Sequence, residues 1–147
     1  MLRKIYKICI LPYTIVLLYL MLFGFGREQM EHNVVRLSPL LSTITFVQKN
    51  LMWNNWQNIV INLLGNIVMF VPFGFLGWVF SKLNNFKVLI INFLFALVIV
   101  ESLQYFSRMG VLDIDDFILN TIGVSIGFLL KKKIDGLVLK SMNSTFI

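Results

Sequence analysis

Two stretches of this chain leave little freedom in what it can fold into. Ile8 to Phe25 runs eighteen residues without a charged side chain, and Ile59 to Phe80 runs twenty-two. At about 1.5 Å rise per residue, a helix of either length is close to or beyond the roughly 30 Å of a bilayer's hydrocarbon core. In lipid each backbone N–H and C=O must find its partner within the protein. Long apolar runs without alternation satisfy that as helices. Val88 to Phe106 and Ile114 to Leu130 are apolar runs of similar kind, each carrying polar residues towards one end. Charged residues make up only 14% of the chain, against roughly 25% in soluble domains. The expectation is an all-α membrane protein, a single domain over residues 1–147, with four transmembrane helices at about 8–25, 59–80, 88–106 and 114–130.

The first run follows Arg3, Lys4 and Lys7 and resembles a signal peptide in outline. It exceeds a usual signal core, and Gly24-Phe25-Gly26 is a poor cleavage site, so a retained span is expected. Pro12 then falls in its first turns, where a missing N–H costs little. Between the first two spans, Ser38 before Pro39 reads as a helix N-cap with proline at the first helical position. A short interfacial or re-entrant helix is therefore expected in this loop. Trp53 and Trp56 mark the return to the membrane interface. Pro72 should kink the second span, and Gly65, Gly74 and Gly77 should let another helix approach it closely.

Thirteen Lys and Arg face seven Asp and Glu, a net charge of +6. The basic residues sit at the ends of apolar runs, which is a topology signal rather than a nucleic-acid surface. Nine of them (Arg3, Lys4, Lys7, Lys82, Lys87, Lys131, Lys132, Lys133 and Lys140) fall on one side of the expected membrane. Four (Arg27, Arg36, Lys49 and Arg108) fall on the other. That excess places both termini in the cytoplasm and the long loop outside. The sequon Asn143-Ser144-Thr145 would then be cytoplasmic. Cys9 cannot form an intramolecular disulfide, and with His32 as the only histidine no transition-metal centre or Ser–His or Cys–His nucleophile is available. No metal and no cofactor is expected.

Polar residues recur inside the apolar stretches, and their spacing is helical. Asn62 and Asn66 are four apart. Glu101, Gln104 and Arg108 are three and four apart, as are Asp113, Asp116 and Asn120. With the topology above, all three sets lie near the outer ends of their helices, and Asn66, Glu101 and Asn120 each sit roughly 10 Å inside the boundary. A carboxylate at such depth costs about 2–3 kcal/mol unless it is paired, protonated or watered. Two readings follow. Arg108 locks the hairpin by a bridge to Asp116 or Glu101, with asparagines as interhelical glue. Alternatively Asn62, Asn66, Glu101, Gln104, Arg108, Asp113, Asp116 and Asn120 line an outward-facing ligand pocket. Asp113-x-Asp115-Asp116 also has oxygen ligands of the kind Mg²⁺ or Ca²⁺ takes, but without the glycine and length of an EF-hand loop. Glu101 and Asp116 are the candidate acid–base groups if the protein is an enzyme.

These segments resemble the VanZ-like family of small bacterial membrane proteins. The family's N-x-x-G-N-x-x-x-F-x-P-x-G segment is matched by Asn62, Gly65, Asn66, Phe70, Pro72 and Gly74. Its E-x-x-Q is matched by Glu101 and Gln104. Its R, D-x-x-D and N-x-x-G-x-x-x-G are matched by Arg108, Asp113, Asp116, Asn120, Gly123 and Gly127. The family's N-L-I-P-F loop is matched only in part by Arg36-Leu37-Ser38-Pro39-Leu40, which lacks the Asn and the Phe. The resemblance covers about residues 36–130. It implies a bacterial plasma membrane protein and a contribution to glycopeptide resistance of the teicoplanin type. The implied partners are membrane lipids and a lipoglycopeptide or lipid-linked envelope ligand. An enzyme acting on a lipid headgroup or cell-wall precursor, and a structural or partner-binding subunit, are the alternatives. Oligomeric state is open.

Overall fold

The computed structural model describes residues 1–24 and 30–144, without the side chains of Ser42, Asn62 and residues 142–144. Phe25, Gly26, Arg27 and Thr145 therefore lie outside the described residues. Among the described residues the fold is all-α apart from one two-residue parallel pairing, and five α-helices follow one another: α1 (Leu2–Phe23), α2 (Leu41–Met52), α3 (Trp56–Phe70), α4 (Phe86–Ser107) and α5 (Ile114–Ser144). Two 3₁₀ segments, Val71–Trp78 and Ser81–Asn84, connect α3 to α4.

Side-chain pairings fix the helix directions. Tyr6 donates to the Pro72 carbonyl (2.9 Å) and Tyr13 to the Met69 carbonyl (2.6 Å), so α1 runs antiparallel to α3. Near the other end of α1, Gln104 of α4 donates to the Met21 carbonyl at 2.7 Å. Along α3 and its 3₁₀ extension, Asn66, Ile67, Val71 and Gly77 meet Asp116, Gly123, Gly127 and Lys131 in turn. These two rods therefore run parallel. The buried core is shared by four helices, with Leu17 of α1, Phe70 of α3, Leu89, Phe93 and Leu97 of α4, and Val124 of α5. Phe70 and Phe93 meet edge to face at 5.6 Å, a geometry aromatic quadrupoles favour.

Backbone contact between the parallel rods depends on glycine. A Cβ at Gly123 would lie 2.2 Å from the Ile67 oxygen, and one at Gly127 only 1.9 Å from the Val71 oxygen. Gly74 returns the contact against Gly127 and Phe128. The small residues of the second apolar run do not act alike. Gly77 is closed by Asn84, whereas Gly65 faces open space.

Among the described residues, three helical segments are long and apolar enough to cross a membrane: Leu2–Phe23, Trp56–Trp78 and Phe86–Ser107. Their outward faces are apolar, with Ile8, Leu11, Ile15, Ile61, Leu64, Val68, Ile91 and Phe95 all exposed, as lipid contact requires. α5 is not one of the three, because acids crowd its start and Lys131 to Lys133 interrupt it.

Several expected details differ. α1 begins at Leu2, so its basic residues are helical and Pro12 sits in the helix interior. Pro72 does not simply bend a continuous α-helix. The winding tightens to 3₁₀ from Val71 to Trp78, an unusually long run of that geometry. The loop helix starts at Leu41 and not at Pro39. Leu40 is held in the left-handed region at φ 63°, which stops the Ser38–Pro39 turn from continuing into α2. α5 continues well beyond Leu130, through the lysines to Ser144.

Candidate functional site

At the end of the bundle where α1 and α4 finish and α3 and α5 begin lies a cavity of about 660 Å³. Its apolar wall includes Leu17, Leu20, Met21, Phe46, Ile61, Met69, Phe70 and Leu119. Its polar wall is Arg36, Thr43, Asn66, Glu101, Gln104, Asp113, Asp115, Asp116 and Asn120. Helical spacing accounts for the α-helical members, which the turns of α3, α4 and α5 aim into a shared space. Glu101 and Asn120 are only 1% and 2% exposed, and Gln104 is also buried.

The loop before α2 completes the wall. Val35 and Arg36 (β1) pair in parallel with Leu112 and Asp113 (β2), with Arg36 in register with Asp113. Their side chains form an ion pair at 3.7 Å. Arg108 does not have this role. It caps α4 at φ 58°, its exposed side chain reaches the Glu31 carbonyl at 3.5 Å, and it is not on the cavity wall. Neither expected bridge from Arg108 is therefore the arrangement seen. The sequence placed both arginines on the same side, but separation along the chain favoured Arg108. The strand pairing that delivers Arg36 is too short to leave a pattern.

The three aspartates at the start of α5 diverge onto different partners. Asp113 accepts the Asp115 backbone N–H at 3.0 Å while facing Arg36. Asp116 accepts from Asn66 Nδ2 at 3.2 Å, tying α5 to α3. Asp115 takes the place of a local cap on α2: its carboxylate accepts from Leu40 N (2.5 Å), Thr43 N (2.9 Å) and Thr43 Oγ1 (2.7 Å). Leu40, at the N-cap position, has no side-chain oxygen to offer those amides. Among the described residues, no group of three His, Cys, Asp or Glu side chains is gathered for a metal ion. Of the eight residues expected to line a pocket, Asn66, Glu101, Gln104, Asp113, Asp116 and Asn120 surround this one cavity. The Asn62 side chain is outside the described residues, and Arg108 stands apart. Arg36, Thr43 and Asp115 are the additions.

The opposite end holds a second polar cluster, which joins Arg3 and Lys131, expected only as charges flanking spans, to Trp78 of the second span, Asn84 of the following loop and Asp135 of the tail. Asp135 accepts from Arg3 (2.8 Å), Trp78 Nε1 (2.9 Å) and Lys131 (2.9 Å). Lys131, 6% exposed, also donates to Asn84 at 2.6 Å. Burial pushes the Asp135 carboxyl up. The hydrogen bonds from Lys131, Trp78 and Arg3, with the charge of Lys131, outweigh that and hold it below the ordinary carboxylate value.

Comparison with curated proteins gave no match, and comparison with solved structures gave none. The VanZ/LLP1 family profile matches residues 10–135, which takes in the cavity wall and, of the second polar cluster, Trp78, Asn84, Lys131 and Asp135. By that match, over most of its length, this chain belongs to the VanZ/LLP1 family.

Proposed function

We propose that the protein is a four-span component of the bacterial plasma membrane whose cavity opens at the outer surface. There it binds the polar part of an envelope amphiphile and contributes to glycopeptide resistance of the teicoplanin type. The observation that carries the reading is the cavity itself. Buried Glu101, Gln104 and Asn120 come from two different helices and face one space beside apolar residues of α1 and α3. A polar recess next to an apolar wall suits a ligand with a headgroup and a tail.

Support for α5 as the fourth span comes from the second cluster. After three crossings the start of α5 lies opposite Arg3, yet Asp135 of α5 contacts Arg3. Ile122, Ile126 and Leu129 form an exposed apolar stripe on α5, beside the face that carries Gly123 and Gly127. The apolar part of α5 is short, but Asp116 at one end and Lys131 at the other are both packed within protein. The basic residues at the Arg3 end support a cytoplasmic location for it.

The test uses teicoplanin and vancomycin susceptibility in a sensitive Gram-positive host. Strains carry the chain, Glu101→Gln or an empty vector, with membrane levels matched by a tag. The expected result is a raised teicoplanin threshold for the unaltered chain alone and little change for vancomycin. Equal thresholds for the unaltered chain and the empty vector would overturn the resistance reading.

A further inference from the structure

We infer that the groove between α1 and the first 3₁₀ segment, at the end of the bundle away from the cavity, holds an acyl chain of an anionic phospholipid whose phosphate sits at Arg3. The inference goes beyond the cavity and stands for either orientation of the chain in the membrane. The groove has a volume of about 370 Å³. One wall is Leu2, Ile5 and Tyr6 of α1, and the other is Pro72, Phe75 and Trp78 of the 3₁₀ segment. With three residues per turn, side chains three apart eclipse one another, so Pro72, Phe75 and Trp78 stand in a straight row. An α-helix would turn the same positions progressively aside. The long 3₁₀ winding thus builds a level apolar wall. Polar atoms on the two walls already have partners. The Tyr6 hydroxyl donates to the Pro72 carbonyl and Trp78 Nε1 to Asp135, each at 2.9 Å. What the groove presents is hydrocarbon and aromatic ring, which suits an alkyl chain.

The rim of the groove supplies the sign of the headgroup. Leu2–Phe23 and Trp56–Trp78, both long and apolar enough to cross a membrane, meet here at Leu2 and Trp78, which puts the rim at the level of lipid headgroups. The Arg3 guanidinium lies over the Trp78 ring, 5.9 Å from its centroid, and gives one nitrogen to Asp135. Its side chain is still 59% exposed, and its fork of N–H donors matches phosphate oxygens. Asp135 offers such a phosphate little repulsion, because Arg3, Trp78 and Lys131 already surround it. Segments 1–24, 71–90 and 131–144, which build this end, together carry nine Lys and Arg and one acid, Asp135. A zwitterionic headgroup would bring a further cation to this surface, whereas an anionic one balances it.

The experiment uses the full chain in a neutral detergent, titrated with phosphatidylglycerol, with phosphatidylcholine of the same acyl chains, or with glycerol phosphate. Thermal stabilisation is followed to saturation. Phosphatidylglycerol should bind about fivefold or more tighter than phosphatidylcholine, the scale of one basic residue's attraction to an anionic headgroup. Glycerol phosphate, which has no acyl chain, should have no saturable effect. Ile5→Trp fills the groove without touching the ion cluster and should abolish saturable binding of phosphatidylglycerol. Arg3→Gln should bring phosphatidylglycerol down to the level of phosphatidylcholine. Lys4 neither lines the groove nor bonds to Asp135, so Lys4→Gln should leave the preference intact. If Arg3→Gln or Ile5→Trp does not fold, the lipid comparison on the unaltered chain and on Lys4→Gln decides alone. Equal binding of the two lipids overturns the inference, as does a loss of the preference in Lys4→Gln, which would mean general attraction to a basic surface. Unchanged binding in Ile5→Trp removes the groove from the site and overturns it too. Glycerol phosphate binding as tightly as the lipid would make this a free-phosphate site and overturn the acyl-chain assignment. A chain that is dimeric without lipid and monomeric with Ile5→Trp would give the groove to a second copy and overturn the inference.

Discussion

Asp115 shows how a single side chain can look like one thing in sequence and act as another. Beside Asp113 and Asp116 it has the appearance of a metal ligand. In the fold its carboxylate holds the first turn of α2 through Leu40 N, Thr43 N and Thr43 Oγ1. A carboxylate on helix-start amides gains from charge as well as geometry. Asp115→Ala should cost about 1–2 kcal/mol, the scale of a lost N-cap. Amide hydrogen exchange should quicken at Leu40 and Thr43 while the core of α4 is unchanged; unchanged exchange at those two amides would contradict the capping role. Thr43→Val removes only the hydroxyl and should cost less than the aspartate change. This contact was not legible from the sequence, because the capping residue lies 75 positions from Leu40. That Glu101, Gln104 and Asn120 share faces turned towards neighbouring helices was legible from helical phase, and all three are buried.

The glycines of α3 and α5 carry the argument at the level of elements. Small residues in an apolar run signal close packing without saying which of them make it. Gly127, with the Val71 oxygen 1.9 Å from its would-be Cβ, and Gly65, with nothing near, are the two extremes. Gly127→Leu should force α5 away from the 3₁₀ segment and abolish a cooperative melt in detergent. Gly65→Ala should be neutral or stabilising by up to about 1 kcal/mol, because alanine favours the helix interior. Similar losses for both variants would mean that the glycine contact between the rods is not what holds them. Helix existence was read well from apolar runs, but helix ends were not. α5 runs past Leu130 because Lys131 and Asp135 pair four apart and dock on Asn84, Trp78 and Arg3, a tertiary reason that charge content along the chain conceals. Likewise, the 3₁₀ winding after Phe70 coincides with Pro72 and the close approach of Gly74 to Gly127; the sequence marks Pro72 as a kink and Gly74 as a packing residue, but not the change of winding.

For the molecule as a whole, the two ends of the bundle differ in chemistry: an acid-rich cavity at one and a closed ion cluster at the other. The cluster joins residues 132 positions apart, so its strength bears on the whole bundle. Because Asp135 binds a proton less readily folded than unfolded, its contribution is complete above the ordinary carboxylate range near pH 4. It is lost as pH falls through the lower folded value. Asp135→Asn should therefore lower the melting temperature at pH 7 and narrow the gap to the unaltered chain in acid; a gap independent of pH would refute the ion-cluster account. Topology can be tested through the same end. With Cys9 replaced by serine, single cysteines at Trp53 and Lys140 report the two sides. An impermeant maleimide should label position 53 in intact cells and position 140 only after permeabilisation. The reverse pattern would invert the protein and put the cavity in the cytoplasm. Labelling of both in intact cells would mean that α5 returns without crossing. The contact between Arg3 and Asp135 argues against that last outcome, because a helix that stayed on the cavity side would have to carry Asp135 away from the N-terminus it is bonded to.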